Sequence, residues 1–255
     1  MDEAEANNLD WEAKNPRFRR WDTCSLCEQE YHGVVACALS WACWKTYVGR
    51  SEADEARGWA MGLLGSGLHD AHCYTDAAIL YEAMISMLRR VGASEASILD
   101  AQENLAVTYG TLGREEEALR MQRDIYSGRL KLSGEEHVDS LMAALNYASS
   151  LSDLGRFEEA KALLRKTLPA ARRIVGESHQ LTFQMRGCYA EALYKDSRAT
   201  LDDFRESVTT LEDSERTARR VFGGAHPLTS MIEGELRDAR PALRARETLP
   251  TKGRS

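Results

Sequence analysis

Two cysteines spaced for a metal ion stand near the start of this 255-residue chain, in Trp21-Asp22-Thr23-Cys24-Ser25-Leu26-Cys27-Glu28-Gln29-Glu30-Tyr31-His32-Gly33. A Cys-x-x-Cys knuckle turns two thiolates towards one tetrahedral ion, which then needs two further ligands. His32, Cys37 and Cys43 are the nearby candidates. Cys37 and Cys43 lie on an expected helix, about 240° apart around it, so they do not readily converge on one ion. Cys24 and Cys27 are therefore read as an incomplete site, with zinc as a cofactor only if the missing ligands are supplied. The plainer reading is a reduced knuckle, with Cys37 and Cys43 as small core residues.

No other group of residues forms a catalytic constellation. The six histidines are scattered, and His137, His179 and His226 recur at one equivalent loop position, which points to loop hydrogen bonding rather than a general base. Paired acids such as Glu116-Glu117 sit where a helix begins, not across a cleft, and no phosphate-cradling glycine loop follows a strand. The expectation is a protein without enzymatic activity. A net charge of −7 argues against a nucleic-acid surface, and the short basic patch Arg17-Phe18-Arg19-Arg20 reads as a solvated approach. The longest apolar run, Gly33–Trp44, is too short to cross a bilayer. Met1–Asp10 is acidic without an apolar stretch, and no Asn-x-Ser/Thr site occurs. With unpaired cysteines, those features lead us to expect a cytoplasmic, reducing location.

The elements that position these residues follow from a repeat. Asn104–His137 aligned on Asn146–His179 gives twelve identities in 34 columns at a constant offset of 42. The matches include Leu112-Gly113-Arg114 with Leu154-Gly155-Arg156, and Glu116-Glu117-Ala118 with Glu158-Glu159-Ala160. Self-similarity at such a period signals stacked supersecondary units. Each unit reads as a helical hairpin: Leu105, Ala106 and Tyr109 recur at helical spacing, Gly113 ends the first helix, and acids open the second. Ala118 and Ala160 fall where two helices cross closely. Gly49, Gly92, Gly134, Gly176 and Gly223, spaced 43, 42, 42 and 47, fall where second helices need a left-handed stop. Strand signals are scarce, so the fold class is all-α: a solenoid of about four hairpins plus capping helices. The expected organisation is a lead-in over 1–33, the array over 34–246 and a disordered tail over 247–255. The full repeats begin with 52–91, 97–133 and 139–175, and the fourth carries five extra residues around Lys195–Asp203. Val34–Tyr47 is a second helix without a first, and its Trp41 and Trp44, three apart on one face, are expected to cap the first repeat. Pro169 should bend its helix, and a last helix over about 228–246 should weaken after Pro241.

The pattern resembles tetratricopeptide repeats of the kinesin-light-chain type, whose units end in Gly-x-x-His-Pro. Gly223-Gly224-Ala225-His226-Pro227 carries that ending in full, and Gly134–His137 and Gly176–His179 carry it without the proline. The resemblance implies a right-handed superhelix whose concave face is lined by first helices. It places Asn104 and Asn146 in that groove, where side-chain amides bond a peptide backbone. The same face would carry Trp59, Ser66, His69 and Asp70, then Asp100, Glu103 and Val107. Met142, Leu145, Ser149 and Asp153 follow, then Gln184, Glu191, Tyr194 and Lys195. Acids outnumber bases five to one in that set, so the implied partner is another protein, bound through an extended basic or neutral peptide. Separately, Trp-x-x-Cys-x-x-Cys before an aromatic and a polar turn resembles the closing ligand pair of a RING-CH zinc finger. Arrays behind such fingers also resemble sets of proteins in marine microalgae. The alternative this implies is the substrate-recruiting part of a ubiquitin ligase, with Cys24 and Cys27 as zinc ligands. The ligands completing such a finger would lie upstream, and residues 1–23 contain neither Cys nor His.

Overall fold

The computed structural model describes residues 19–24, 26, 27 and 29–248. Among them regular structure is helical throughout: a 3-10 turn Arg19–Trp21, then α1 (Gly33–Tyr47), α2 (Glu55–Asp70), α3 (Tyr74–Arg90), α4 (Glu95–Thr111) and α5 (Glu115–Ser133). There follow α6 (Val138–Asp153), α7 (Phe157–Ile174), α8 (Gln180–Lys195), α9 (Leu201–Phe222) and α10 (Pro227–Thr248). In chain order α2, α4, α6 and α8 are first helices, α3, α5, α7 and α9 second helices. The all-α, repeat-built fold class is the one observed. No described helix is long and apolar enough to cross a membrane.

The helices form two compact units, residues 1–114 and 115–255. In the first, α1 to α4 pack each on the next. Close approach is set by missing side chains: a Cβ on Gly67 would lie 2.2 Å from Ser40 Oγ, and one on Gly65 2.5 Å from the Tyr81 ring. In the second unit, successive helices pack from α5 to α10, and α8 also touches α6 and α10. Leu141, Leu151, Leu164, Met185 and Leu193 fill one core cluster, and Phe183, Leu211, Ile232 and Leu236 another. Helix α8 contributes to both, which is why it is buried on most sides. Each fully buried leucine contributes about 1.5–3 kcal/mol. Ala118 and Ala160 are buried as the crossing argument requires.

The helix ends follow the period. Gly92, Gly134, Gly176 and Gly223 have φ of 69°, 83°, 96° and 85°. Gly49 departs from the series, since it is not among the left-handed glycines and stands in open space. At the three later boundaries the histidines act as caps. Nδ1 of His137, His179 and His226 accepts from the N–H of Asp139, Leu181 and Leu228 respectively, each at 3.2 Å. Expected loop hydrogen bonding is thus their observed role, satisfying donors at the start of α6, α8 and α10.

Two expectations need correction. Trp44 packs against the cluster of Cys43, Tyr47, Ala56 and Ala60, but Trp41 remains 43% exposed and is not among the residues packed on that cluster. Helix α10 runs through Pro241 to Thr248, so Glu247 and Thr248 are helical; the expected tail otherwise lies outside the described residues. Pro169 lies inside α7, in a second helix as expected. Both prolines are on exposed positions, where water can satisfy the carbonyl each one frees.

Candidate functional site

In the first unit the expected groove residues divide by burial. Trp59 is half-buried and packs against the α1–α2 cluster, so it is part of that core rather than a free contact. His69 is half-buried, edge-on to Tyr74 at 5.0 Å, with Nε2 3.5 Å from Thr111 Oγ1. Asp70, Asp100 and Asn104 are exposed, while Glu103 is half-buried.

The second unit brings charge together on α6, α8 and α10. Asp153 is exposed at the end of α6, and Glu191 on α8 is bound by Lys195 one turn on. Desolvation first, then the charges of Glu191 and Glu115, hold the Asp153 carboxyl above its ordinary range, with Lys195 opposing. Glu235 on α10 is pushed up to about 7 by burial and by Glu191. Its oxygens occupy the space over Gly187, where a Cβ would lie 2.8 Å from Oε2. Oε2 has no hydrogen-bond partner among the described residues. Cys188 is buried beside Ser149, 3.8 Å from its Oγ, and burial raises its thiol to about 11. Gln184 and Asn146 are half-buried on α8 and α6. Tyr194 is half-buried too, but packs against the Phe183–Ile232 core, supporting the face more than offering itself.

The cysteine knuckle is a short hairpin turn. Thr23 and Glu30 form an isolated antiparallel bridge, Cys24 N–H donates to Gln29 O at 2.8 Å, and Tyr31 N–H donates to Asp22 O at 2.7 Å. The N–H groups of Leu26 and Cys27, then the Cys27 thiol and the Tyr31 hydroxyl, bond Cys24 Sγ and lower its pKa to about 7. Among the described residues no three His, Cys, Asp or Glu side chains gather to hold a metal ion. Cys43 is fully buried in the core, as the helical spacing argued, and Cys37 is half-buried.

Residues 98–139 and 140–181 match the family described as tetratricopeptide repeat. The chain carries tetratricopeptide repeats. Its fold is similar to the nearly identical TPR-like repeats of a kinesin-light-chain-like protein from Podosopora anserina, in a variant form with one substitution. That likeness covers 78% of this chain and 90% of that one, at 20% identity and a TM-score of 0.65. BtubC (BKLC) from P. vanneervenii is similar over 86% of this chain and 94% of its own, at 14% identity and a TM-score of 0.59. A Rap protein complexed with Competence and Sporulation Factor matches 83% of this chain and 60% of its own, at 10% identity and a TM-score of 0.53. At such identities the likeness establishes the fold. No curated protein matches the chain in sequence.

The tetratricopeptide register also locates what sequence reasoning missed. Asn146 corresponds to Cys188, and the 47-residue step that carries His179 to His226 carries Cys188 to Glu235. Glu235 thus holds the position occupied by asparagine in earlier repeats. The signal was the step itself, applied to the last helix as well as to the glycines.

Proposed function

We propose that this chain is a non-enzymatic scaffold whose first-helix face takes an extended, basic or neutral peptide segment of another protein. The observation that carries this reading is the charge on α6, α8 and α10. The Glu191 carboxylate acts on both Asp153 and Glu235 there, and the adjacent Lys195 is already bound by Glu191. Beyond desolvation, the Glu191 charge raises both carboxyls, and an incoming ammonium or guanidinium relieves that repulsion. The tetratricopeptide fold is typical of interaction scaffolds, and the structurally similar Rap protein is complexed with a factor. Asn104 and Asn146 add backbone recognition, as the repeat pattern implies. The test is fluorescence anisotropy with an extended arginine-containing peptide and its glutamate counterpart. The basic peptide should bind better, and Asp153→Asn with Glu191→Gln should weaken it about tenfold, about 1.4 kcal/mol. Unchanged affinity, or a preference for the acidic peptide, would overturn the reading.

The knuckle favours a second reading, the substrate-recruiting part of a RING-CH-type ligase. Its turn carries Cys24 and Cys27 at the Cys-x-x-Cys spacing of a zinc knuckle. The reading frame upstream of Met1 separates the two: Cys-x-x-Cys and Cys-x-Cys…His-x-x-Cys encoded there support the second, and their absence removes it.

A further inference from the structure

We infer that the exposed face of α1 pairs with the same face of a second copy of this chain, the two helices running antiparallel. The contact uses no residue of the proposed peptide face. Composition, exposure and charge each point to it.

Helix α1 is apolar all round. Gly33–Tyr47 holds no acid, and Lys45 is its one charged residue. A helix of that composition belongs in a core, covered on every side. Here one side is covered: Ser40, Cys43 and Tyr47 are buried, with Trp44 packed beside them. Val34, Ala38, Trp41 and Lys45, at i, i+4, i+7 and i+11, form a line along the opposite side, with Val35 and Ala42 next to it. All six are exposed, Val34 by 81% and Val35 by 55%. A repeat array ordinarily closes on a polar face. Helix α10 does so, with Arg237, Asp238 and Arg244 exposed. Helix α1 does not, and its open face calls for another apolar surface.

The chemistry of this face selects its own copy. A head-to-tail continuation would set α10 of another copy against α1, and the charges on α10 make that a poor cover for valine and tryptophan. Two α1 faces are complementary instead. With the two-fold axis between Ala38 and Trp41, each indole lies over Ala38 of the other helix, where the small side chain leaves room. Val34 then lies beside the apolar stem of Lys45. The Lys45 ammonium reaches the N-terminal approach of the other α1, where Glu30 is exposed. Among the described residues neither Lys45 nor Glu30 has an ion-pair partner of its own. The antiparallel arrangement also sets the positive end of each helix dipole beside the negative end of the other. A helix of 15 residues is about 22 Å long, so the contact stays below about 1,200 Å² in total, the range of weak, concentration-dependent association.

The experiment uses the full 255-residue chain, reduced, with molar mass measured by sedimentation equilibrium from about 1 µM to about 200 µM. The mass should double across that range. Trp41→Glu should stay monomeric while keeping its helical circular dichroism, since the side chain it replaces is exposed. Lys45→Glu sets a like charge against Glu30 of the second copy and should weaken the dimer about fivefold. Adding Glu30→Lys restores an opposite pair and should recover the dimer, which a mere loss of helix stability would not allow. A monomer throughout the range, whether residues 1–18 or another protein then covers the face, overturns the inference. So do assemblies that grow past two copies, a dimer that Trp41→Glu leaves intact, and a charge reversal that the second change fails to recover.

Discussion

His72 holds a left-handed backbone, φ 62°, at the turn between α2 and α3. The corresponding residues in the next two repeats are Gly113 and Gly155, with φ of 74° and 70°. A side chain in this region costs about 1–2 kcal/mol, a cost glycine escapes. Part of it is offset here, because His72 Nδ1 lies 2.6 Å from the Tyr74 hydroxyl and the two rings meet edge-on at 5.7 Å. Alanine at this position would keep the strain and lose the contact. His72→Gly should therefore be more stable than His72→Ala by about 1 kcal/mol. Paired denaturant midpoints measure this, and an alanine variant as stable as the glycine one would show that the backbone strain is relieved elsewhere. The capping histidines show the opposite situation: their role was legible from recurrence alone, because a residue repeated at one loop position must do one local job.

At the scale of elements, the inserted loop between α8 and α9 shows what a repeat cannot foretell. The extra length was readable from the repeat; the reciprocal cap that Thr200 and Asp203 form on α9 was not singled out by it. Nor was the fastening of the loop. Asp196 accepts from Arg198 N–H at 2.8 Å and lies 3.6 Å from Lys161 Nζ on α7, with both side chains only 4% exposed. No spacing rule joins residues so far apart in the chain, and neither has a counterpart doing this elsewhere. Pro241 misled for a related reason: the sequence shows its missing N–H but not that it stands on an exposed position of α10. Removing one partner of a buried pair is costly, about 3–5 kcal/mol. Lys161→Met should fall at the lower end, about 3 kcal/mol, because Asp196 keeps its bond to Arg198. Thermal unfolding of Lys161→Met beside Lys161→Met with Asp196→Asn tests it. The second change should recover part of the loss, and a single variant as stable as the parent would mean that the pair carries no weight.

At the scale of the whole molecule, the periodic features were legible and the coupled ones were not. Alternating first and second helices, small residues at crossings and glycine stops all repeat, so one unit teaches the next. Glu235 repeats nothing: its position is given by the register, but its protonation depends on burial, on the Glu191 carboxylate and on the space left by Gly187. Its consequence reaches the stability of the second unit. A carboxyl raised from 4.5 to about 7 favours the folded state fully at pH below its ordinary value and loses that advantage as pH rises through 7. Asp153, also raised, works in the same direction. The lowered Asp196 and Asp203 lose their contribution only below the ordinary aspartate value, outside the interval from about pH 5 to 8. Within that interval the parent should therefore weaken as pH rises, and Glu235→Gln should weaken less. The variant keeps the shape over Gly187 without the charge, so its advantage should appear only on the alkaline side, about 1–3 kcal/mol by pH 8. Urea midpoints at the two ends of the interval measure the difference. If the two proteins track each other across it, the Glu235 carboxylate is solvated, and the excess of negative charge on α6, α8 and α10 must rest on Asp153 and Glu191 alone.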